Sequence, residues 1–91
     1  MDILQTNSFK KSAKKLHKNQ KEQLDEAVKE IKKNPNIGEE KVGDLSGISV
    51  YKFDIDRQLT LLAYSYDDFS ITLTLLALGS HKNFYRDLKK H

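Results

Sequence analysis

Hydrophobic and polar positions along this chain change their period once, from a helical spacing in the first third to alternation afterwards. The short run Ile3–Gln5 predicts a first strand. Residues 8–17 then carry apolar side chains at helical spacing, which predicts an amphipathic helix with Asn7 or Ser8 as its N-cap.

A second helix follows, because apolar side chains recur at i, i+3, i+4 and i+7. This stripe consists of Leu24, Ala27, Val28 and Ile31. Asn19 is the expected N-cap, and Asn34-Pro35 ends the helix because proline disfavours helical geometry in the residue before it. The two helices are predicted to form an antiparallel hairpin. His17, at the end of the first helix, is expected on the surface, where the helix dipole favours a cation.

After the second helix, the segment from residue 38 to 47 is polar and carries glycine, with Val42 and Leu45 as its expected anchors. The apolar period then becomes two, which is typical of strands. In the predicted strand Ile48–Ile55, Tyr51 and Phe53 share one face. Lys52 is therefore expected on the opposite, more open face.

Two further strands complete the predicted sheet. The connections and strands are, in order, Asp56-Arg57-Gln58, Leu59–Tyr66, Asp67-Asp68 and Ser70–Leu78. Both strands are apolar on both faces, so the helices should cover one side of the sheet and leave the other partly open. Gly79-Ser80 is expected to break the last strand, and residues 82–90 to form a short helix with Phe84 and Leu88 on one side.

The predicted order β-α-α-β-β-β, with a short C-terminal helix, defines an α+β fold in which a helical hairpin packs on a small, mainly antiparallel sheet. The 91 residues suit a single domain, 1–91. The chain has no cysteine, which excludes disulfides, thiolate catalysis and cysteine–zinc sites. Without a long apolar run or a signal-peptide pattern, we expect a cytoplasmic protein that does not enter a membrane.

The net charge is +3, and lysines crowd the first helical region. They are Lys10, Lys11, Lys14, Lys15, Lys18 and Lys21. Such a cluster is often a solvated helix face, yet it also raises the local concentration of an anionic partner. The acidic residues show no His/Asp ligand spacing, so we expect neither a metal nor another cofactor.

The tract that follows the last predicted strand is the most informative for chemistry. Within six residues it brings together His81, Tyr85 and Arg86 at a strand end, which is both exposed and held rigidly by a sheet. Histidine suits proton transfer because its unperturbed pKa lies near neutrality. Read by itself, however, a histidine after a turn is also a common surface residue.

Four short blocks, in this order and spacing, resemble the toxins of the RelE/ParE superfamily. They are Leu45-Ser46-Gly47, Val50–Phe53, Leu61–Tyr64 and Gly79–Tyr85. The Gly-Ser-His sequence, with an aromatic residue four positions after the histidine, is similar to the ending of YafQ-type toxins. The resemblance implies a RelE-like fold and the toxin of a type II toxin–antitoxin system. It further implies an endoribonuclease that cuts mRNA on the ribosome and forms a hetero-oligomer with a cognate antitoxin.

Cutting RNA without a metal requires a base for the ribose 2′-hydroxyl, an acid for the leaving 5′-oxygen and cations for the phosphate charge. By resemblance, His81 is the general acid or base, and Tyr85 stacks on a base or places its hydroxyl near the leaving oxygen. Lys52 matches a position with a basic or imidazole residue in these toxins, and Arg57 lies in the hairpin that carries polar catalytic or RNA-contacting groups. Arg86 and Lys82 are further RNA-binding candidates.

The chain departs from YafQ-like toxins in having no histidine between His17 and His81. Relatives often carry arginine where this chain has Ala77, so cationic side chains are expected to do most of the work, as in RelE. Two other classes of function remain open at this point. One is a ParE-like toxin that poisons DNA gyrase without nuclease activity, and the other is a non-catalytic protein-binding module.

Overall fold

The fold is described by a computed structural model for residues 1–80 and 84–89. Its strands are β1 (Asp2–Gln5), β2 (Glu39–Glu40), β3 (Ser49–Ile55), β4 (Gln58–Asp67) and β5 (Thr72–Ser80). Its helices are α1 (Asn7–Lys14), α2 (Lys18–Lys33) and α3 (Phe84–Lys89).

The strands form one mixed sheet in the order β1-β5-β4-β3-β2. β1 runs parallel to β5, and the other neighbours are antiparallel. The predicted α+β fold, with a helical hairpin on a mainly antiparallel sheet, is confirmed. The short strand β2 was not predicted, because two residues are too few to show an alternating pattern. Leu45 packs on the sheet as predicted, but Val42 is 85% exposed and is not an anchor, because it precedes a left-handed turn at Gly43 (φ 70°).

The N-cap of α1 is Thr6, not Asn7 or Ser8, and the helix ends at Lys14 instead of residue 17. The Thr6 hydroxyl accepts a hydrogen bond from the Phe9 amide at 3.1 Å and donates one to the Leu76 carbonyl at 2.6 Å. The Thr6 side chain therefore both caps the helix and connects it to β5. The contact with β5 joins residues far apart in the chain, so the local sequence pattern does not predict it.

The second helix begins one residue after His17, which is its N-cap, so the prediction of Asn19 was wrong. The backbone N–H of His17 donates to the Gln20 side chain at 2.9 Å. His17 is exposed, as expected, but it lies at a helix N-terminus, where the dipole disfavours a cation. The predicted end before Asn34-Pro35 is confirmed.

A bulge in β5 shifts the alternation of its side chains between the two faces of the sheet. The register shifts where Ala63 pairs with Ala77 and Tyr64 pairs with Leu75, which leaves Leu76 unpaired. One core cluster lies between the sheet and the helical hairpin. Its buried members are Phe9, Leu24, Ile31, Leu62, Tyr64, Leu73, Leu75 and Leu78.

The opposite face of the sheet is covered by α3, which comprises Phe84–Lys89 of the described residues; residues 82, 83 and 90 of the predicted helix lie outside them. Phe84 and Leu88 are both buried, as their i, i+4 spacing predicted. They pack in a second core cluster with Val50, Leu61, Ala63 and Ala77.

The ends of β4 and β5 also differ from the prediction. Gly79-Ser80 does not break β5, because Gly79 pairs with Leu61 and Ser80 with Thr60. The turn before β5 covers residues 68–71 and not Asp67-Asp68, since the Asp67 carboxylate accepts a hydrogen bond from the Phe69 amide at 3.0 Å.

Candidate functional site

β3 separates two sets of side chains between the two faces of the sheet. Tyr51 and Phe53 pack toward the helices, with ring centroids 5.7 Å apart, and the predicted alternation is confirmed. Lys52 lies opposite Leu61, whose side chain belongs to the cluster under α3. The exposed Lys52 therefore projects from the face that α3 partly covers.

On the same face, Tyr85 of α3 contacts a lysine that the sequence did not single out. The Lys41 ammonium lies 5.1 Å from the centroid of the Tyr85 ring and 2.8 Å from a carboxylate oxygen of Glu39. The Lys41 side chain is only 19% exposed. Tyr85 packs at right angles to Phe84, so its ring has a fixed orientation between a phenyl ring and a cation.

The charges of this group support one another. The Glu39 carboxylate accepts a hydrogen bond from Lys41, which lowers its pKa, and the Lys41 and Lys52 charges lower it further. The pKa of Lys41 is raised, first by its hydrogen bond to Glu39, against the opposing effect of burial, and also by the Tyr85 hydroxyl. Glu39 and Lys41 are therefore both ionised at neutral pH, and Lys52 is close enough for its charge to stabilise the Glu39 carboxylate.

A shallow pocket of about 320 Å³ opens beside the Tyr85 ring, lined also by Lys41, Val42, Asp44 and Leu45. An aromatic ring, a cation and an apolar wall in one pocket are suited to stacking a planar ligand, while Asp44 in the lining and Glu39 beside Lys41 offset the positive charge. Glu39 and Lys41 were missed because β2 is so short. The signal that could have found them is the pair of opposite charges two positions apart, Glu39 and Lys41, which would lie on one face of a strand.

Arg57 lies at the tip of the β3–β4 hairpin. The connection is the two-residue turn Asp56-Arg57 and not three residues, because Gln58 already pairs with Ile55. Both turn residues have left-handed backbones, with φ of 50° and 68°. The Asp56 carboxylate accepts hydrogen bonds from Gln23 at 3.0 Å and Gln20 at 2.8 Å, which lower its pKa.

His81 and Lys82 lie outside the described residues, and so does the side chain of Arg86, whose backbone is in α3. The nearest described neighbours are Ser80, paired with Thr60, and Phe84, packed close to Gly79. The structure therefore brings Lys52 and Tyr85 to one face, sets Arg57 at the hairpin tip, and leaves the place of His81 as a prediction.

Two features that bear on function are not found in the described part of the chain. It contains no group of three or more His, Cys, Asp or Glu side chains arranged to hold a metal ion. None of the helices within it is both long and apolar enough to cross a membrane.

Comparison with known families matches residues 3–89 to the ParE-like toxins of type II bacterial toxin–antitoxin systems. The chain belongs to this family, as a toxin of the RelE/ParE superfamily. Among curated protein sequences no significant match is found.

Solved structures show the same fold at low sequence identity. A double arginine-to-alanine variant of Escherichia coli RelE in the free state superposes with a TM-score of 0.75 at 17% identity, covering 98% of this chain and 90% of that one. The toxin–antitoxin complex RelBE2 of Mycobacterium tuberculosis gives 0.74 at 18%, covering 88% and 96%. The YoeB/ParE toxin of Agrobacterium tumefaciens gives 0.70 at 17%, covering 89% and 99%. At these identities the likeness establishes the fold.

Proposed function

We propose that this toxin is a metal-independent endoribonuclease that cuts mRNA, on the ribosome, to stop translation. The observation that carries the proposal is that Lys41, Lys52 and the ring of Tyr85, a residue of α3, lie on the same side of the sheet. RNA offers what these groups bind, since phosphates attract the ammonium groups and an unstacked base can lie on the ring. The tract with His81 follows Ser80, the last residue of β5, in the chain.

In the proposed reaction the ribose 2′-oxygen bonds to phosphorus while the bond from phosphorus to the 5′-oxygen breaks. The products are a 2′,3′-cyclic phosphate and a 5′-hydroxyl. His81 transfers a proton to or from these oxygens, and Lys52 stabilises the charge on the pentacoordinate phosphorus. Tyr85 orients a base by stacking, while Arg57, Lys82 and Arg86 bind neighbouring phosphates.

A second candidate function is poisoning of DNA gyrase without RNA cleavage, because the matched family is described as ParE-like. Two parallel assays separate the candidates, namely cleavage of ribosome-bound mRNA and supercoiling of a plasmid by gyrase. We expect new mRNA 5′ ends and unchanged supercoiling. Cleavage should persist with EDTA on a ribosome-free substrate or on ribosomes that are kept intact. Inhibited gyrase with intact mRNA would contradict the nuclease and support the second candidate.

The proposed protein partner is an acidic antitoxin, which complexes of related toxins support. An open groove of about 470 Å³ lies between β1, α1 and α2. Its lining includes the apolar residues Ile3, Phe9, Leu24, Val28 and Leu75 and the cationic residues Lys10, Lys14 and Lys21. An amphipathic segment that folds on binding would bury apolar area there, and the lysines would attract its acidic side chains.

A further inference from the structure

The turn Asp56-Arg57 adopts a backbone that its sequence does not favour. A two-residue hairpin with left-handed φ at both positions is usually formed by Asn-Gly or Asp-Gly. Aspartate tolerates this conformation, but arginine at φ 68° is strained where glycine would not be. Arginine therefore occupies a position where its left-handed backbone conformation lowers the stability of the fold.

Two glutamines of α2 hold this strained turn in place. Gln23 forms a two-way contact with Asp56, since its amide N–H donates to the carboxylate at 3.0 Å and its carbonyl accepts from the Asp56 backbone N–H at 2.9 Å. Gln20 donates to the other carboxylate oxygen at 2.8 Å. Gln20 in turn accepts from the backbone of His17, at the start of the helix. The hairpin tip is therefore fixed to the first turns of α2.

The turn borders a polar groove of about 600 Å³ between the helical hairpin and the ends of β4 and β5. The groove is lined in part by Lys15, Gln20, Asp56, Thr60 and Ser80. Ser80 is the last residue of β5, and the chain runs from it directly to His81. Arg57 thus stands at the end of the sheet from which the proposed catalytic tract departs.

We infer that Gln20 and Gln23 are positioning residues that, through Asp56, hold Arg57 at the hairpin tip ready to bind an RNA phosphate. Strain that is retained and held by a dedicated hydrogen-bond network points to a functional side chain, here the guanidinium. This inference rests on the proposed ribonuclease function. Gln20 and Gln23 of α2 would thus contribute to RNA cleavage through Arg57, which lies in the turn between β3 and β4.

The test combines stability and kinetics in four variants of the full chain. Arg57→Gly relieves the strain and removes the guanidinium, so we expect the Tm to rise by a few degrees while kcat/KM falls about 10-fold or more. Gln23→Met keeps the volume but breaks the contact with Asp56, and it should lower kcat/KM in the wild-type background. In the double variant Gln23→Met/Arg57→Gly, the glutamine substitution should have no further effect on cleavage. Gln5→Met, on the edge strand β1, controls for the loss of a glutamine.

Each alternative result has a distinct meaning. If Arg57→Gly cuts mRNA as fast as the wild type, the assignment of Arg57 is overturned. If Gln23→Met impairs cleavage equally with and without Arg57, the glutamine acts through something other than this arginine and the positioning role is overturned. A wild-type chain that leaves mRNA intact would instead contradict the proposed function itself.

Discussion

Lys41 combines two contacts that a surface lysine rarely makes together, an ion pair with Glu39 and a position over the Tyr85 ring. We expect Lys41→Met to lower the single-turnover rate of mRNA cleavage about 10-fold, because it removes the cation that holds the Tyr85 ring beside the proposed RNA-binding pocket. Lys41→Arg should restore most of the rate, since a guanidinium also stacks on aromatic rings.

The matched control for this substitution is Lys29→Met, which removes an exposed lysine of α2 that is paired with Glu26. Both variants lose one positive charge, so a general electrostatic effect on RNA binding would slow them equally. An equal loss in the two variants would show that Lys41 contributes only to the overall charge.

Asp56 makes the hairpin turn sensitive to acid. Its pKa lies below the ordinary 3.8 because Gln23 and then Gln20 donate hydrogen bonds to the carboxylate. The unfolded chain therefore takes up this proton more readily, so the ionised group contributes stability above about pH 4 and loses that contribution as the pH falls through its folded pKa.

Asp56→Asn should accordingly make the loss of stability toward low pH shallower, measured as the urea midpoint from about pH 6 to 2. The loss should not vanish, because Glu39 and Asp67 also have lowered pKa values. Asp68→Asn, in the exposed β4–β5 turn, is the matched control. Parallel profiles for the wild type and Asp56→Asn would contradict the proposed source of the acid sensitivity.

At the scale of elements, the segment that leaves α2 is fixed by one buried tyrosine of β4. The Tyr64 hydroxyl donates to the Pro35 carbonyl at 2.6 Å and accepts from the Gly38 amide at 2.9 Å. Burial raises the pKa of Tyr64, although the Gly38 amide partly offsets this. A Cβ at Gly38 would lie 2.7 Å from the tyrosine oxygen, so the close approach requires glycine.

Tyr64→Phe leaves both backbone partners without the hydroxyl, and we expect it to lower the free energy of unfolding by about 1–3 kcal/mol. For a domain of this size each kcal/mol corresponds to a Tm shift of about 4–8 °C. Tyr66→Phe, half-buried on the same strand, is the matched control and should stay close to the wild type. Equal stability of the two variants would show that the hydroxyl of Tyr64 does not anchor the segment.

Elements with a sustained period were predictable, since a stripe or an alternation repeats one local preference several times. The apolar stripe of α2 and the two faces of β3 are examples, and the latter correctly set Lys52 apart from Tyr51 and Phe53. The same logic predicted the buried pair Phe84 and Leu88 on α3.

What the sequence did not reveal depends on contacts between distant residues. Thr6 became the N-cap of α1 because its hydroxyl also reaches the carbonyl of Leu76 in the β5 bulge. The two-residue turn at Arg57 is held by glutamines of α2, which no local preference indicates. In the candidate site, β2 was too short to single out Lys41, and its contact with the Tyr85 ring joins residues far apart in the chain.

At the scale of the whole molecule, we expect neutralisation by the proposed antitoxin to involve both sides of the sheet. The lysine-rimmed groove lies on the side of α1 and α2, whereas Lys52 and Tyr85 of α3 lie on the other side of the sheet. We expect tight binding with an association rate that falls as salt rises, because the lysines attract an acidic partner over distance. Binding should also change the hydrogen exchange of residues 78–90, since we expect the antitoxin to cover or displace the proposed catalytic tract.

The control for this prediction is a variant in which Lys10, Lys14 and Lys21 are replaced by glutamine. It should associate more slowly and show a weaker salt dependence, with a dissociation rate near that of the wild type. Unchanged exchange over residues 78–90 in an inhibited complex would contradict covering of the catalytic tract and favour exclusion of the toxin from the ribosome.

The central claim is that this toxin cuts mRNA with a proton-transferring histidine. Its most direct test is the single-turnover rate of cleavage of ribosome-bound mRNA by the wild type and by His81→Ala, with folding of both verified by circular dichroism. We predict that the wild type produces new 5′-hydroxyl ends and that His81→Ala cuts about 10²–10⁴-fold more slowly, the usual contribution of a positioned acid or base. A folded His81→Ala variant that cuts at the wild-type rate would contradict the claim.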